Sequence, residues 1–209
     1  MSAIESDKIF VPSIFAEIKF KEKSSVFIAQ LFPAEDESTA SSILLSTKKK
    51  YFDATHNCFA YRIYPNLFKY SDDGEPSGTA GLRIYNALKH FQLFNCILIV
   101  TRYFGGTKLG IGPLGVAYYN SSVEVIQNAQ LTEKHLYSRL EIKFDFSLSK
   151  IIYHLADEFK LIIESTNYLE SIVMIGKILS NHSEKFIEKL ESATSGKVIV
   201  NKLQEDILA

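Results

Sequence analysis

The run TRYFGGTKLGIGPLG, residues 101–115, decides how the rest of the chain is read. It holds five of the chain's ten glycines: Gly105, Gly106, Gly110, Gly112 and Gly115. Three more, Gly74, Gly78 and Gly81, lie in SDDGEPSGTAG, residues 71–81. Glycine is used where backbone takes φ > 0 or approaches another group closely. Two glycine loops in one part of the chain therefore mark where its work is done.

Outward from the first loop, Asn95–Tyr103 is a nearly continuous apolar strand, the pattern of a strand covered on both faces. A helix opens at Pro113, which suits a first helical position, and runs to about Ala129. Before the second loop, Thr55–Tyr64 reads as a strand. There His56, Cys58, Ala60 and Arg62 share one face and Asn57, Phe59, Tyr61 and Ile63 the other. Gly78–Phe91 reads as a helix capped by Ser77 or Thr79. Upstream, Ala16–Lys21 and Ser25–Gln30 read as strands. A helix follows from Pro33 to about Tyr51, its acidic first turn and basic end (Lys48, Lys49, Lys50) suiting the dipole. That lysine triplet can be read as a phosphate patch, but the simpler reading is a solvated helix end. Residues 1–12 read as a polar lead-in.

Leu131–Tyr137 reads as a linker. Beyond it come a strand (Arg139–Phe146), a helix (Leu148–Phe159), two strands (Leu161–Ser165 and Ser171–Ile178), a helix (Asn181–Ala193, capped by Asn181 or Ser183) and a last strand (Lys197–Val200). That β-α-β-β-α-β order is the split, ferredoxin-like arrangement. The fold class is α+β, with one domain over 1–135 and a second over 136–209.

Residues 1–135 carry 14 Lys+Arg against 13 Asp+Glu, and the remainder 9 against 11. Neither part is basic enough to hold nucleic acid by bulk charge. Cys58 and Cys96, the only cysteines, lie in apolar runs and read as buried thiols; without a CxxC they make no zinc site. The first residues lack the basic and apolar regions of a secretion signal, and the longest apolar run is too short to cross a bilayer. The expected setting is cytoplasmic, with no membrane partner.

Asp72, Asp73 and Glu75 cluster around Gly74. They can be read as oxygen ligands for a cation or as acid/base groups. The simpler reading is an acidic turn placed before a helix N-terminus. Gly110, Gly112 and Gly115 spell G-x-G-x-x-G. The first glycine lies too far past the strand, however, and no acid-tipped second strand follows, so no dinucleotide cofactor is expected. A Walker loop fails at Thr107-Lys108-Leu109. What remains is a glycine loop running into a helix N-terminus beside Arg102 and Lys108, which favours an anion. Tyr103 and Phe104 offer flat surfaces to a base or a partner. Pairing of Arg102 and Lys108 with the Asp72–Glu75 carboxylates is the competing arrangement.

HNCFAYRI (56–63), SDDGEPSGTAG and TRYFGGTKLG, in that order and spacing, closely resemble the YigZ/IMPACT family over about residues 15–130, and residues 137–209 resemble the small C-terminal domain of its bacterial two-domain members. The resemblance implies an N-terminal ribosomal-protein-type domain like elongation factor domain IV, and a C-terminal ferredoxin-like domain like elongation factor G domain V. It also implies a non-enzymatic, translation-linked role, with RNA, the ribosome or a translation-associated protein as partner. The family motif falls on His56, Asp72, Asp73, Gly74, Glu75, Pro76, Gly78, Thr79, Gly81, Arg102, Tyr103, Gly105, Gly106, Lys108 and Gly110, beside which Ser77 is counted in the binding surface. Val116 departs from the motif, standing where bacterial relatives carry an arginine. No catalytic residue, metal ligand or cofactor is assigned. The alternative is a metal-assisted hydrolase of an anionic or phosphorylated small molecule, with Asp72, Asp73 or Glu75 holding the metal and Arg102 the anion.

Overall fold

The computed structural model describes residues 8–208. These divide into two compact units, one spanning Phe10–Glu133 and the other holding Lys134 onward together with the start of the chain. The elements up to the second unit are β1 (Lys8–Pro12), β2 (Ala16–Glu22), β3 (Ser25–Pro33), α1 (Glu37–Lys50), β4 (His56–Ile63), β5 (Leu67–Ser71), α2 (Gly81–His90), β6 (Cys96–Tyr103) and α3 (Ile111–Asn128).

The first unit is an antiparallel sheet in the order β2-β3-β6-β4-β5. Its central strand β6 is buried from Cys96 to Arg102, which explains its apolar run: helices cover both faces. On one face Phe27, Ala29, Leu31, Cys58, Ala60, Leu98 and Val100 pack against Ile84, Ala87 and Leu88 of α2 and Leu114, Tyr118 and Val125 of α3. On the other, Phe59, Tyr61, Ile63, Ile97 and Ile99 pack with Ala40, Ile43 and Leu44 of α1. The period-two alternation of β4 is what lets one strand feed both cores.

Several boundaries differ from the sequence reading. The polar lead-in contains β1, its residues 1–7 lying outside the described part. Helix α1 starts after Asp36, whose Oδ1 accepts from Thr39 N at 2.6 Å. Neither Ser77 nor Thr79 caps α2. Ser77 is exposed, and the Thr79 hydroxyl donates instead to Pro76 O at 2.6 Å. Pro113 is the third residue of α3 rather than the first. β5, which the sequence reading passed over, forms a hairpin with β4.

The second unit runs β7 (Leu131–Phe144), a 3-10 turn (Phe146–Leu148), α4 (Ser149–Glu158), β8 (Ile162–Tyr168), β9 (Ile172–Leu179), α5 (Ser180–Ala193) and β10 (Ile199–Leu208). β7 pairs with β9 on the path β1-β7-β9-β8 and also with β10. The expected linker at 131–137 is therefore strand. Its apolar alternation begins only at Leu136, so the polar residues before it hid an extension that pairing on β7 stabilises. Helix α5 starts at Ser180, with Leu179 in the N-cap position and Asn181 and Ser183 inside the helix. Among the described residues no helix is long and apolar enough to cross a membrane.

Candidate functional site

Strand register brings the site together. His56 pairs across from Arg102 in β6, and Arg102 pairs with Phe27 in β3. Directly opposed residues share a face, so His56, Arg102 and Phe27 all point toward the helix pair α2–α3. The SDDGEPSGTAG loop folds over this end of the sheet and delivers Glu75. Its side chain is 4% exposed, and its Oε1 accepts from Arg102 Nη1 at 2.6 Å and from Tyr118 OH at 2.8 Å. His56 Nε2 stands 3.8 Å from Glu75 Oε2, beyond hydrogen-bond reach. His56 Nδ1 lies 2.8 Å from Asp73 O. The Arg102 Nη2 donates to buried Ser25 Oγ at 3.3 Å.

The three carboxylates do not converge. Asp72 Oδ1 accepts from Ala80 N and Gly81 N, and its Oδ2 from Gly78 N, all at 2.9 Å. It is thus the true cap of α2, acting from nine residues upstream, where the helix N–H groups lack intrahelical partners. Asp73 Oδ2 accepts from Asn57 N at 2.7 Å, and its Oδ1 meets Lys48 Nζ at 2.6 Å. Lys48 is therefore an ion-pair partner rather than part of a solvated helix end. Glu75 belongs to Arg102. Among the described residues no three His, Cys, Asp or Glu side chains come together as a metal-holding set. The three carboxylates thus take separate partners.

The glycine loop is shaped for close approach. A Cβ on Gly105 would lie 1.8 Å from Ser24 O, so only glycine lets this loop pack on the β2–β3 turn. Gly110, at φ 84°, is the N-cap of α3 and carries no side-chain cap; Gly106 also has positive φ. The loop joins an antiparallel strand to its helix, so the parallel βαβ unit of a dinucleotide site is absent here. Lys108 is exposed and has no carboxylate partner among the described residues. Of the two expected cations, then, Arg102 is neutralised by the acidic loop and Lys108 is not.

Tyr103 points away from Arg102 by strand alternation, and its OH donates to Asp53 Oδ1 at 2.8 Å. Partial desolvation and that bond push its phenol upward. Phe104 is 43% exposed, with the Arg102 guanidinium carbon 5.5 Å from its ring centre. Between the two loops lies a cleft of about 410 Å³, lined by Thr55, His56, Pro76, Phe104, Lys108 and Leu109, with Glu75 and Arg102 among its walls and Gly110, Ile111 and Leu114 of the α3 start on its far side. His56, Glu75, Arg102, Lys108 and Gly110 thus meet at one cleft. Asp72, Asp73 and Thr79 shape its loop, Ser77 and Tyr103 do not line it, and Gly105 and Gly106 lie in the loop beside it.

Tyr118 was missed from sequence. It is fully buried, accepts from Cys58 Sγ at 3.3 Å, and is pushed upward by burial, so it stays a donor to Glu75. Helical spacing from Leu114 already places it on the buried face, and a buried tyrosine hydroxyl needs a partner. Arg83 of α2 was missed too. It lines a neighbouring groove with Gly112, Gly115, Val116 and Tyr119, its Nε 3.2 Å from where a Gly115 Cβ would stand. A cation from α2 therefore reaches the groove beside Val116, where the resemblance had led to an arginine on α3.

The Impact N-terminal domain family matches residues 23–126. A Bacillus subtilis (strain 168) protein, IMPACT family member YvyE, is 33% identical over 177 residues, covering 84% of this chain and 82% of that one. A Haemophilus influenzae IMPACT family member is 28% identical over 201 residues, covering 93% and 96%. A crystal structure of a hypothetical protein superposes with a TM-score of 0.60 at 22% identity, over 96% of this chain and 99% of that one, which speaks to the fold. The motif residues of the cleft lie inside the matched region, and the relatives extend through the second unit: the chain belongs to the IMPACT family.

Proposed function

We propose that this chain is a non-enzymatic, cytoplasmic, translation-linked regulator that binds RNA or the ribosome through the cleft between residues 71–81 and 101–110. The observation that carries this reading is the charge left over at the cleft. Asp72 is committed to the N–H groups of α2, Asp73 to Lys48 and Asn57, and Glu75 to Arg102. Lys108 and the uncapped start of α3 are not neutralised in this way. A cation and free helix N–H groups favour a phosphate, and the exposed Phe104 ring beside them offers a stacking face to a base. Arg83, in the adjoining groove, extends the cationic surface past α3. The family's translation link and its likeness to elongation-factor domains support the same reading, as does the β-α-β-β-α-β order of the second unit for a ferredoxin-like domain.

The test is binding to ribosomes and to structured RNA at rising salt. Removing Arg102 would strand Glu75 and perturb folding, so Lys108→Glu and Phe104→Ala are the informative variants. Lys108→Glu should weaken binding and lower the salt slope by about one; Phe104→Ala should weaken it with the slope unchanged. Absence of binding, or equal binding by all three proteins, defeats the proposal, and capture of a translation factor by the same cleft would replace RNA with a protein partner.

A further inference from the structure

The inner wall of the cleft carries two acceptors that the protein does not use. Glu75 Oε1 is taken inward, by Arg102 Nη1 at 2.6 Å and by the hydroxyl of fully buried Tyr118 at 2.8 Å. The other oxygen, Oε2, accepts no hydrogen bond among the described residues and stands 3.8 Å from His56 Nε2. The His56 ring is fixed from behind. Its Nδ1 is 2.8 Å from Asp73 O, a carbonyl that only accepts, so Nδ1 carries the proton and Nε2 of the neutral ring is an acceptor. That anchor also holds Nε2 short of a direct bond to Glu75.

Both acceptors open to the cleft. Among the described residues, the unpaired side-chain atoms that burial seals from solvent are Gln30 Oε1, Arg102 Nε and Ser183 Oγ. Glu75 Oε2 and His56 Nε2 are unpaired but not sealed, and both residues line the cleft. The Arg102 guanidinium ties the pair to the aromatic wall: it donates to Glu75, and its carbon lies 5.5 Å from the centre of the exposed Phe104 ring. The cleft of about 410 Å³ thus combines a flat ring, two adjacent acceptors and, in Lys108 and the uncapped start of α3, a phosphate-favouring rim.

We infer that the cleft selects guanine. This rests on the RNA reading above and names the base that the cleft holds. An unstacked base is read by stacking and along its Watson–Crick edge. Guanine alone among the four bases presents two adjacent donors there, N1–H and the N2 amino group. With the base against Phe104, these two donate to His56 Nε2 and Glu75 Oε2. Adenine and cytosine present one donor beside an acceptor, and uracil one donor between two acceptors, so each sets a lone pair against one of the two protein acceptors. A guanidinium from a partner protein also has adjacent N–H donors. It is a cation, however, entering beside Arg102 and Lys108, and the Glu75 charge is already met by Arg102. Guanine brings the same donors without charge, and a phosphate for the rim.

The experiment is fluorescence anisotropy of the full chain with labelled RNA tetramers UUGU, UUAU, UUCU, UUUU and UUIU at one fixed salt concentration. UUGU should bind roughly tenfold more tightly than UUAU, UUCU or UUUU, the scale of one well-formed pair of hydrogen bonds to a base. Inosine keeps N1–H and lacks the N2 amino group, so UUIU should fall between UUGU and the others. These ligand changes leave the protein intact. His56→Phe, which keeps a ring and loses the acceptor, should shrink the preference for UUGU over UUAU several-fold, whereas Phe104→Ala should weaken all five tetramers. Equal affinity for all five tetramers overturns the inference and leaves RNA binding standing. Absence of binding by every tetramer and by ribosomes defeats the proposed function and the inference with it. Guanosine 5′-monophosphate binding as tightly as UUGU keeps the guanine site but assigns it to a free nucleotide, against the RNA reading. Displacement of UUGU by methylguanidinium at a lower concentration than by the monophosphate overturns the inference in favour of a partner's arginine.

Discussion

Arg102 Nη1 and Glu75 Oε1 are 2.6 Å apart, and both side chains are almost wholly buried, at 7% and 4% exposure. This pair closes the acidic loop onto β6 and sets the inner wall of the cleft. A buried ion pair is weak evidence of net stabilisation, but removal of one partner leaves an uncompensated charge. Arg102→Ala should therefore cost about 3–5 kcal/mol in urea unfolding. The double variant Arg102→Met/Glu75→Leu should recover most of that loss, because neither charge is then stranded. Equal destabilisation by the single and double variants would contradict the pairing as the reason for the loss.

Asp72 holds three N–H groups at the start of α2. Asp72→Ala should destabilise the first unit by about 1–2 kcal/mol, the range for loss of a helix cap. Asp72→Asn, which keeps one acceptor oxygen, should fall between it and wild type. Hydrogen exchange at Ala80 and Gly81 localises the effect: both amides should lose protection in Asp72→Ala while the β6 amides keep theirs.

Gly105 and Gly106 are neighbours under different constraints. A methyl on Gly105 would collide with backbone at Ser24, whereas one on Gly106 meets open space but sits at φ 87°. Gly106→Ala should cost about 1–2 kcal/mol of backbone strain. Gly105→Ala should cost more, because the β2–β3 turn has to move. Thermal melts of the two variants give the order, and a reversed order would mean that the loop does not rest on Ser24.

Asp36 is held below its ordinary 3.8 by hydrogen bonds from the backbone N–H and the side-chain hydroxyl of Thr39 at the start of α1. Because the folded value is depressed, the stabilisation is present above the unfolded value and disappears as pH falls through the folded one. The difference in urea midpoint between wild type and Asp36→Ala should thus be constant near neutrality. It should shrink to nothing on acidification below the ordinary aspartate range. A difference that persists in strong acid would assign the effect to packing instead.

Both cysteines are buried, and burial pushes Cys58 upward and Cys96 up to about 12. The thiolate is the reactive form. Neither should react with Ellman's reagent at mild alkaline pH in the native protein, and both should react at once in denaturant. Rapid native reaction of Cys58 would show that the end of the sheet near Asp72 opens readily.

Much of this molecule is legible in the residues. The alternation of HNCFAYRI gives a strand with two usable faces, the apolar run at 96–100 gives the central strand, and the two glycine loops mark the cleft. Tyr118 was hidden because its helix gives no hint of which strand it faces, and its partner Glu75 lies 43 residues away. Asp72 was hidden as a cap because capping is usually sought one residue before a helix, whereas here the acceptor reaches back across a loop. Leu131–His135 was hidden because its strand character comes from pairing rather than from its own pattern.

The sequence by itself determined the α+β class, the glycine loops and the family, since these rest on local periodicity, backbone freedom and motif order. Only the tertiary structure decided which charges remain. The three carboxylates are adjacent in the chain, yet the register of β4 against β6, the start of α2 and the approach of α1 send each to a different partner. Charge pairing depends on distances of a few ångströms between segments far apart in sequence, and those distances exist only once the sheet has formed.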